Sequence, residues 1–185
     1  MCLSDLTSYG VYQLTALALN VSMEEQTRTA TAWTVPSYIG LDERMGILIL
    51  SHYRLIIVDD DPLIRSGLRT LVEALGMEVI GEADNGQSGI ERAESLRPEL
   101  ILLDVSMPVM GGFAAARELR KLLPELRIIF VSQYNDPAFA EEALRMGAAG
   151  YVVKQSATTD LSDAVVAAMA GRTFVSHAAA ARHRH

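Results

Sequence analysis

The fold is decided by residues 55–62, Leu-Ile-Ile-Val-Asp-Asp-Asp-Pro. Four apolar residues, three of them β-branched, have the pattern of a short buried strand. Asp61 followed by Pro62 is a typical N-cap residue before a proline at the first helical position. Apolar residues then recur at helical spacing over residues 64–75, and Gly76 ends the run. The stretch therefore predicts a strand, an acidic turn and a helix in succession.

The same alternation of β-branched runs and helix-period segments continues through residues 54–175. We predict five strands, at residues 55–58, 77–83, 100–104, 127–132 and 150–153. A helical segment separates each strand from the next, so the strands should be parallel and the helices should cover both faces of the sheet. The predicted fold class is therefore α/β, a doubly wound parallel sheet of five βα units.

The two ends of the chain have a different character. Residues 1–53 contain many Ser and Thr residues and scattered apolar residues without a sustained period. We assign no fold to them and predict a disordered N-terminal extension. Residues 176–185 include an alanine stretch followed by Arg-His-Arg-His, and we predict a flexible C-terminal tail. We therefore predict a single folded domain over residues 54–175.

The composition excludes two classes of partner. With a formal net charge of −7, the chain has no domain-wide positive field for a phosphate backbone. No apolar run approaches the roughly 18 residues of a membrane span. The single cysteine, Cys2, suits a reducing compartment, and the N-terminus lacks the basic start of a secretory signal. We therefore expect a cytoplasmic protein that binds neither membranes nor nucleic acid directly.

Polar residues interrupt the apolar runs at the carboxyl ends of the predicted strands, where open parallel sheets bind their ligands. They are Asp59, Asp60 and Asp61 after the first strand, Asp104 after the third, Ser132 after the fourth and Lys154 after the fifth. Carboxylates from two strands repel one another unless a cation or a proton relieves the repulsion. Oxygen ligands that act together with phosphate favour Mg²⁺ over zinc.

The same residues could supply the parts of a phosphoryl-transfer site. Such a site needs an in-line nucleophile, a metal, and positive or hydrogen-bonding groups on the equatorial oxygens. An aspartate carboxylate is a competent nucleophile for an acyl phosphate. Lys154 could pair with the transferred group and Ser132 could donate its hydroxyl. For Asp61 we favour the simpler interpretation of a helix cap.

These residues resemble the receiver domains of bacterial two-component response regulators. The matching motifs are Leu-Ile-Ile-Val-Asp-Asp-Asp-Pro at 55–62, Leu-Leu-Asp-Val-Ser-Met-Pro-Val-Met-Gly-Gly at 102–112, Phe-Val-Ser at 130–132 and Gly-Tyr-Val-Val-Lys at 150–154. They occur in order over about 120 residues, a usual size for one domain. The resemblance implies a flavodoxin-like fold with strand order 2-1-3-4-5.

The resemblance also implies how the acidic residues are used. Asp104 would be the phosphoacceptor. Asp60, Asp104 and the backbone carbonyl of Ser106 would bind Mg²⁺, and Asp59 would support the metal without binding it directly. The protein would be a signalling domain rather than an enzyme, and it would support its own phosphorylation and dephosphorylation.

The remaining motif residues would read and tune the phosphorylated state. Ser132 and Lys154 would contact the phosphoryl group, and Ser132 and Tyr151 would move together as a switch. Ser106 and Tyr134 would set how fast the phosphate is lost. The switch would remodel the face of the fourth helix, fifth strand and fifth helix, through which a homodimer could form. The phosphoryl group would come from a sensor histidine kinase or a phosphotransfer protein.

Two features depart from the common receiver pattern. Gln155 follows Lys154 where many receivers have proline, so we expect no cis peptide bond there. The Lys-Gln-Ser-Ala form resembles the subfamily whose output is a LuxR-type helix-turn-helix. The chain ends where that output would begin, which leaves open a stand-alone receiver and a receiver whose output domain has been removed.

Two other functions remain open at this point. Asp59 and Asp61 form an Asp-x-Asp after an apolar strand, as in aspartate-dependent phosphatases of the haloacid-dehalogenase type. No acidic pair follows a later strand, however, and Pro62 fits the receiver better. A receiver that no longer accepts phosphate would instead act as a phosphorylation-independent docking module. Finding which aspartate carries an acid-labile phosphate would separate the three functions.

Overall fold

The structure is a computed structural model that describes residues 40–42, 47–49 and 53–180. The chain divides into two compact units. In the first, β1 (Gly40–Asp42) and β2 (Ile47–Ile49) form an antiparallel hairpin. This hairpin lies in the segment to which the sequence assigned no fold. The rest of the predicted extension up to residue 52, and residues 181–185 of the predicted tail, lie outside the described residues.

The second unit is built on one parallel sheet. Its strands are β3 (Arg54–Val58), β4 (Glu78–Ala83), β5 (Leu100–Leu103), β6 (Arg127–Ser132), β7 (Gly150–Val153) and β8 (Phe174–Val175). Their order across the sheet is β4-β3-β5-β6-β7-β8. The first five of these strands follow the predicted order 2-1-3-4-5, and each begins and ends within one residue of its predicted bounds. The flavodoxin-like α/β prediction is confirmed.

Five helices connect the strands. They are α1 (Pro62–Ala74), α2 (Gly86–Leu96), α3 (Gly112–Leu122), α4 (Pro137–Arg145) and α5 (Ala157–Met169). The Asp61 carboxylate accepts the backbone N–H groups of Leu63 and Ile64, which confirms its predicted role as the cap of α1. Within the described ranges, no helix has both the length and the apolar character needed to cross a membrane.

The core lies on both faces of the sheet. Successive side chains of a strand point to opposite faces, so Ile56 and Val58 pack with α2, α3 and α4, whereas Leu55 and Ile57 pack with α1 and α5. All four residues of β5 are buried. In a strand that is covered on both faces, every side chain is buried, so polar residues at alternate positions would be unfavourable. This explains the continuous apolar runs of the sequence.

Strand β8 was not predicted, and it changes both the expected start of the C-terminal tail and the expected exposure of β7. Ser176, which follows β8, is fully buried, and Ala179 is buried too, so the tail does not begin at residue 176 as predicted. A two-residue strand is too short to show a period, and only its pairing with β7 reveals it.

Strand β7 lies between β6 and β8, and all its residues are buried. It therefore adds no exposed surface to the predicted face of the fourth helix, fifth strand and fifth helix.

Candidate functional site

The acidic residues meet at the carboxyl edge of the sheet. β3 and β5 are neighbours at its centre, and the chain leaves β3 for β4 on one side before returning to β5 on the other. Such a reversal of strand order opens a crevice at the carboxyl ends. Asp59, directly after β3, and Asp104, directly after β5, are both buried there, while Asp60 is exposed. Carboxylate oxygens of the three residues lie within 4.8 Å of one another.

Lys154 reaches this crevice from the end of β7. Its Nζ atom lies 2.6 Å from Oδ2 of Asp59 and 3.2 Å from Oδ2 of Asp104. β6 lies between β7 and β5 in the sheet, so the long, flexible side chain of Lys154 must reach past the end of β6 to meet Asp104. Only 16% of the Lys154 side chain is exposed. The ammonium therefore lies between two buried carboxylates.

These contacts shift the ionisation of the pocket. Burial raises the pKa of Asp104, and the Asp59 charge acts in the same direction, while Lys154 and the backbone N–H of Ser106 oppose the shift without cancelling it. Burial by itself would lower the pKa of Lys154, but the carboxylates of Asp59 and Asp104 outweigh burial and raise it. The lysine is therefore charged at neutral pH, and its charge favours the ionised form of Asp104.

The pocket fits a hard divalent cation. With Asp59, Asp60 and Asp104 ionised, three carboxylates face one ammonium, and two negative charges are uncompensated. Oδ1 of Asp104 is buried and has no hydrogen-bond partner within the described part of the chain. A buried oxygen without a partner is costly. Mg²⁺ prefers oxygen ligands of this kind and uses one or two carboxylates in most sites.

The residues predicted to form the switch are linked by backbone hydrogen bonds. Ser132 is fully buried, and its Oγ accepts the backbone N–H of Tyr134 at 3.2 Å. The carbonyl of Tyr134 accepts the hydroxyl of Tyr151 at 2.8 Å. The Tyr134 ring stacks on Phe139 of α4 with ring centroids 4.5 Å apart. A displacement of Ser132 would therefore be transmitted to α4 through Tyr134.

The side chain of Tyr151 lies in the core of the domain. Ser132 and Tyr151 were predicted to move together as a switch, and the Tyr151 ring is fully buried in this structure. Its apolar body packs in the core on one face of the sheet, while its hydroxyl finds an acceptor in the Tyr134 carbonyl.

The phosphatase alternative does not fit the geometry. It requires Asp59 and Asp61 to act at one centre, but the Asp61 side chain is exposed and caps α1. The backbone N–H of Asp61, rather than its carboxylate, contacts Asp59, and it lies 3.0 Å from Oδ1 of Asp59.

Ser106, whose backbone carbonyl was predicted to bind the metal, is exposed in the loop after Asp104.

Two residues of the site were missed by sequence reasoning. Arg65 on α1 donates to the backbone carbonyl of Asp59 at 2.7 Å and forms an ion pair with Glu82 of β4. Gly112 at the start of α3 lies so close to the Asp104 carbonyl that an added Cβ would come within 2.0 Å of that oxygen. The glycine was visible in the motif at 102–112, but no sequence signal marks the contact of Arg65.

The fold and the pocket together define a class. The chain is a flavodoxin-like α/β protein with a buried aspartate and a lysine at the strand-order reversal, and with an acidic group suited to a divalent cation. Comparison with known proteins supports a more specific assignment. The response regulator receiver domain family matches residues 55–166. That match covers more than half of the chain, so the chain belongs to this family of phosphorelay signalling domains.

Individual relatives agree with the assignment. The chain is 34% identical over 124 residues to response regulator GacA of Pseudomonas viridiflava, and the match covers 66% of this chain. It is 41% identical over 125 residues to the nitrate/nitrite response regulator protein NarL of Escherichia coli K12, covering 67% of this chain. Each match spans 58% of the relative's length.

A solved structure supports the LuxR-type resemblance. The two-component response regulator of the LuxR family from Aurantimonas sp. SI85-9A1 superposes with a TM-score of 0.65 at 33% identity. The superposition covers 68% of this chain and 91% of that chain. The predicted receiver resemblance is confirmed by these similarities.

Proposed function

We propose that the chain accepts a phosphoryl group on Asp104 from a phosphohistidine of a sensor kinase or a phosphotransfer protein. The observation that carries this proposal is the asymmetric setting of the Asp104 carboxylate. Its Oδ2 lies 3.2 Å from the Lys154 ammonium, while its Oδ1 is buried without a hydrogen-bond partner among the described residues. Lys154 holds one oxygen by charge and leaves the other open, so the carboxylate can meet both a metal ion and a phosphoryl group.

The transfer conserves atoms and charge. A lone pair of the Asp104 carboxylate forms the new bond to phosphorus, and the bond from phosphorus to the donor nitrogen breaks with its electron pair passing to the imidazole. The Lys154 ammonium lies beside the carboxylate and can pair with the equatorial oxygens as charge develops on them. Ser132 accepts the Tyr134 N–H through a lone pair of Oγ, and its hydroxyl would donate to a phosphoryl oxygen.

Mg²⁺ would be held by Asp60, Asp104 and the backbone carbonyl of Ser106, with Asp59 supporting the metal indirectly. When bound, the ion offsets the negative charge of the carboxylates and of the phosphoryl oxygens. Asp59 is paired with Lys154 at 2.6 Å, which keeps the lysine in the pocket when the phosphoryl group is absent. Ser106 and Tyr134 would set the rate of phosphate loss from their positions beside Asp104 and Ser132.

The output would leave through protein contacts in the cytoplasm. Phosphorylation would act on Ser132, and through the Tyr134 backbone on α4 and Tyr151. We infer that a homodimer would use exposed residues of α4 and α5, because β7 is buried. With a net charge of −7, direct contact of this chain with nucleic acid is not expected.

The test is intact mass after incubation with Mg²⁺ and acetyl phosphate. The native chain should gain one phosphoryl group, and Asp104→Asn should gain none because an amide cannot form the acyl phosphate. Asp59→Asn is the matched control, since it lies equally deep in the pocket and should still become modified, although more slowly. Modification of Asp104→Asn but not of Asp59→Asn would support the phosphatase chemistry instead. No modification of the native chain would favour the docking module.

A further inference from the structure

The turn that carries Lys154 lacks an intrinsic constraint on its shape. Residues Lys154–Ser156 form a single 3₁₀ turn between β7 and α5. The described residues contain no cis peptide bond, and Gln155 has no ring to restrict its backbone. The position of the Lys154 backbone must therefore be set by contacts of the neighbouring residues.

Both peptide groups of Val153, the residue before Lys154, are held by serine hydroxyls. Its backbone N–H donates to Oγ of Ser176 at 3.1 Å, and its carbonyl accepts from Oγ of Ser156 at 3.2 Å. The Ser176 backbone N–H meanwhile donates to the carbonyl of Tyr151. The Ser176 hydroxyl thus extends the pairing of β7 with β8 by one bond, up to the residue that precedes the lysine.

Asp160, in the first turn of α5, orients this hydroxyl. Ser176 Oγ donates to Oδ2 of Asp160 at 2.5 Å, and Thr159 donates to Oδ1 at 2.9 Å. Burial raises the pKa of Asp160, but the hydrogen bonds from Ser176 and Thr159 help to outweigh burial and hold it below its ordinary range. Since Ser176 has one hydroxyl proton and gives it to a charged acceptor, its lone pairs are left to face the Val153 N–H.

We propose that Ser176 and Asp160 are positioning residues for Lys154, acting through the backbone of Val153. The inference rests on the proposed function only in its statement of what Lys154 does in the reaction. The geometry accounts for the full burial of a serine after a two-residue strand at the edge of the sheet. Loss of the hydroxyl would free the turn and let the ammonium drift from its two carboxylates.

Two readouts test the inference. The chain has two lysines, Lys121 and Lys154, so selective ¹⁵N labelling of lysine yields two ammonium signals. The Lys121 side chain is 67% exposed and should exchange rapidly with solvent, whereas the Lys154 ammonium, held between carboxylates, should show a slowly exchanging signal. This spectrum needs no phosphoryl transfer. The second readout is the rate of modification by acetyl phosphate at saturating Mg²⁺, measured beside Mg²⁺ affinity by calorimetry.

Ser176→Ala should remove the Lys154 signal and slow modification about three- to tenfold, the loss expected for one hydrogen bond, while Mg²⁺ affinity does not fall, because a displaced ammonium no longer competes for the carboxylates. Ser176→Thr keeps the hydroxyl and should restore both readouts. Val175→Ala is the matched control, since it removes packing from the same strand but no hydroxyl. In a Lys154→Ala background, Ser176→Ala should have no further effect on the rate.

An unchanged Lys154 signal in Ser176→Ala, or an equal loss in Val175→Ala, would overturn the positioning role. If Ser176→Ala does not fold, Asp160→Ala is tested in its place, because Asp160 is partly exposed. It should show the same loss of the Lys154 signal and of rate, and an unchanged signal would again overturn the positioning role. Failure of the native chain to accept phosphate would count against the proposed function alone, because the ammonium spectrum still decides whether Ser176 positions Lys154.

Discussion

Three consecutive aspartates have three different roles at the residue scale. Asp59 is buried and paired with Lys154, Asp60 is exposed at the mouth of the pocket, and Asp61 caps α1. The strand ends at Val58, so each following residue leaves the sheet in a different direction. Backbone geometry thus gives three identical carboxylates three settings: an ion pair, an exposed group beside the pocket and a helix cap.

Asp60→Ala should leave the metal-free protein as stable as the native chain or more stable. The substitution removes one of three carboxylates that lie within 4.8 Å and repel one another. It should also weaken the stabilisation by Mg²⁺, because the ion binds the folded pocket and Asp60 is one of its proposed ligands. Thermal unfolding with and without Mg²⁺ measures both effects.

Asp61→Ala is the matched control for that experiment. It should cost about 1 kcal/mol through loss of the cap, with or without metal, and keep the full Mg²⁺ response. A large loss of stability in metal-free Asp60→Ala would show that Asp60 is structural.

At the scale of elements, close packing places α3 against the end of β5. A Cβ at Gly112 would lie 2.0 Å from the Asp104 carbonyl oxygen, whereas one at Gly67 of α1 would meet nothing within 4 Å. The two helical glycines therefore have opposite reasons to be present. Gly112 permits a close approach to the backbone of Asp104, and Gly67 is on an open surface.

Gly112→Ala should lower the free energy of unfolding by about 1–3 kcal/mol, because the backbone must shift to relieve the clash. Gly67→Ala should instead raise it by about 0.5–1 kcal/mol, since alanine has the higher helix propensity. Denaturant unfolding of the pair tests this. Equal effects of the two substitutions would contradict the packing argument.

The pairing of α1 with β4 has a pH dependence of known sign. Burial raises the pKa of Glu82, but hydrogen bonds from Arg69 and Arg65 outweigh burial and lower it. Because the folded pKa lies below the unfolded one, the stabilisation is present above the unfolded pKa and is lost as the pH falls through the folded pKa. Arg65 also donates to the Asp59 carbonyl, which joins this cluster to the pocket.

Glu82→Gln should therefore lower stability at neutral pH by about 0.5–1 kcal/mol, with the difference from the native chain closing below about pH 4. Glu78→Gln, at the exposed start of the same strand, is the control and should show little effect at either pH. A difference that persists unchanged into acid would rule out the ion pairs as its cause.

At the scale of the whole molecule, the pocket and the α4 surface are joined by a short path. It runs from Ser132 through the Tyr134 backbone to Tyr151, and through the Tyr134 ring to Phe139. The proposed signal is a population shift along this path, started by new charge and acceptor oxygens beside Ser132. The exposed surface of α4 and α5 would report it.

Ser132→Ala should uncouple that surface from the phosphate while Asp104 still becomes modified. The native chain should change its sedimentation coefficient or its capture of a partner on phosphorylation, and Ser132→Ala should show no such change. Sedimentation velocity of both proteins, with and without acetyl phosphate, measures the difference. An identical response in the two proteins would exclude the path through Ser132.

The sequence alone was sufficient for the five main strands, their helices and the Asp61 cap. Those features rest on local physics: a strand buried on both faces is apolar throughout, and a helix start needs an acceptor beside its free N–H groups. The order of the strands came from the family resemblance rather than from periodicity. The residues at the strand ends were visible for the same reason, since each interrupts an apolar run.

Only the tertiary structure decided which distant groups meet. The Lys154 contacts, the support of Asp59 by Arg65, the buried Tyr151 ring and the hydroxyl bridge from Ser176 join residues from separate elements. β8 belongs here too, because two residues cannot show a period and only their partner strand defines them. Local propensity carries no information about such contacts, since they arise when the packed sheet brings the ends of its strands to one edge.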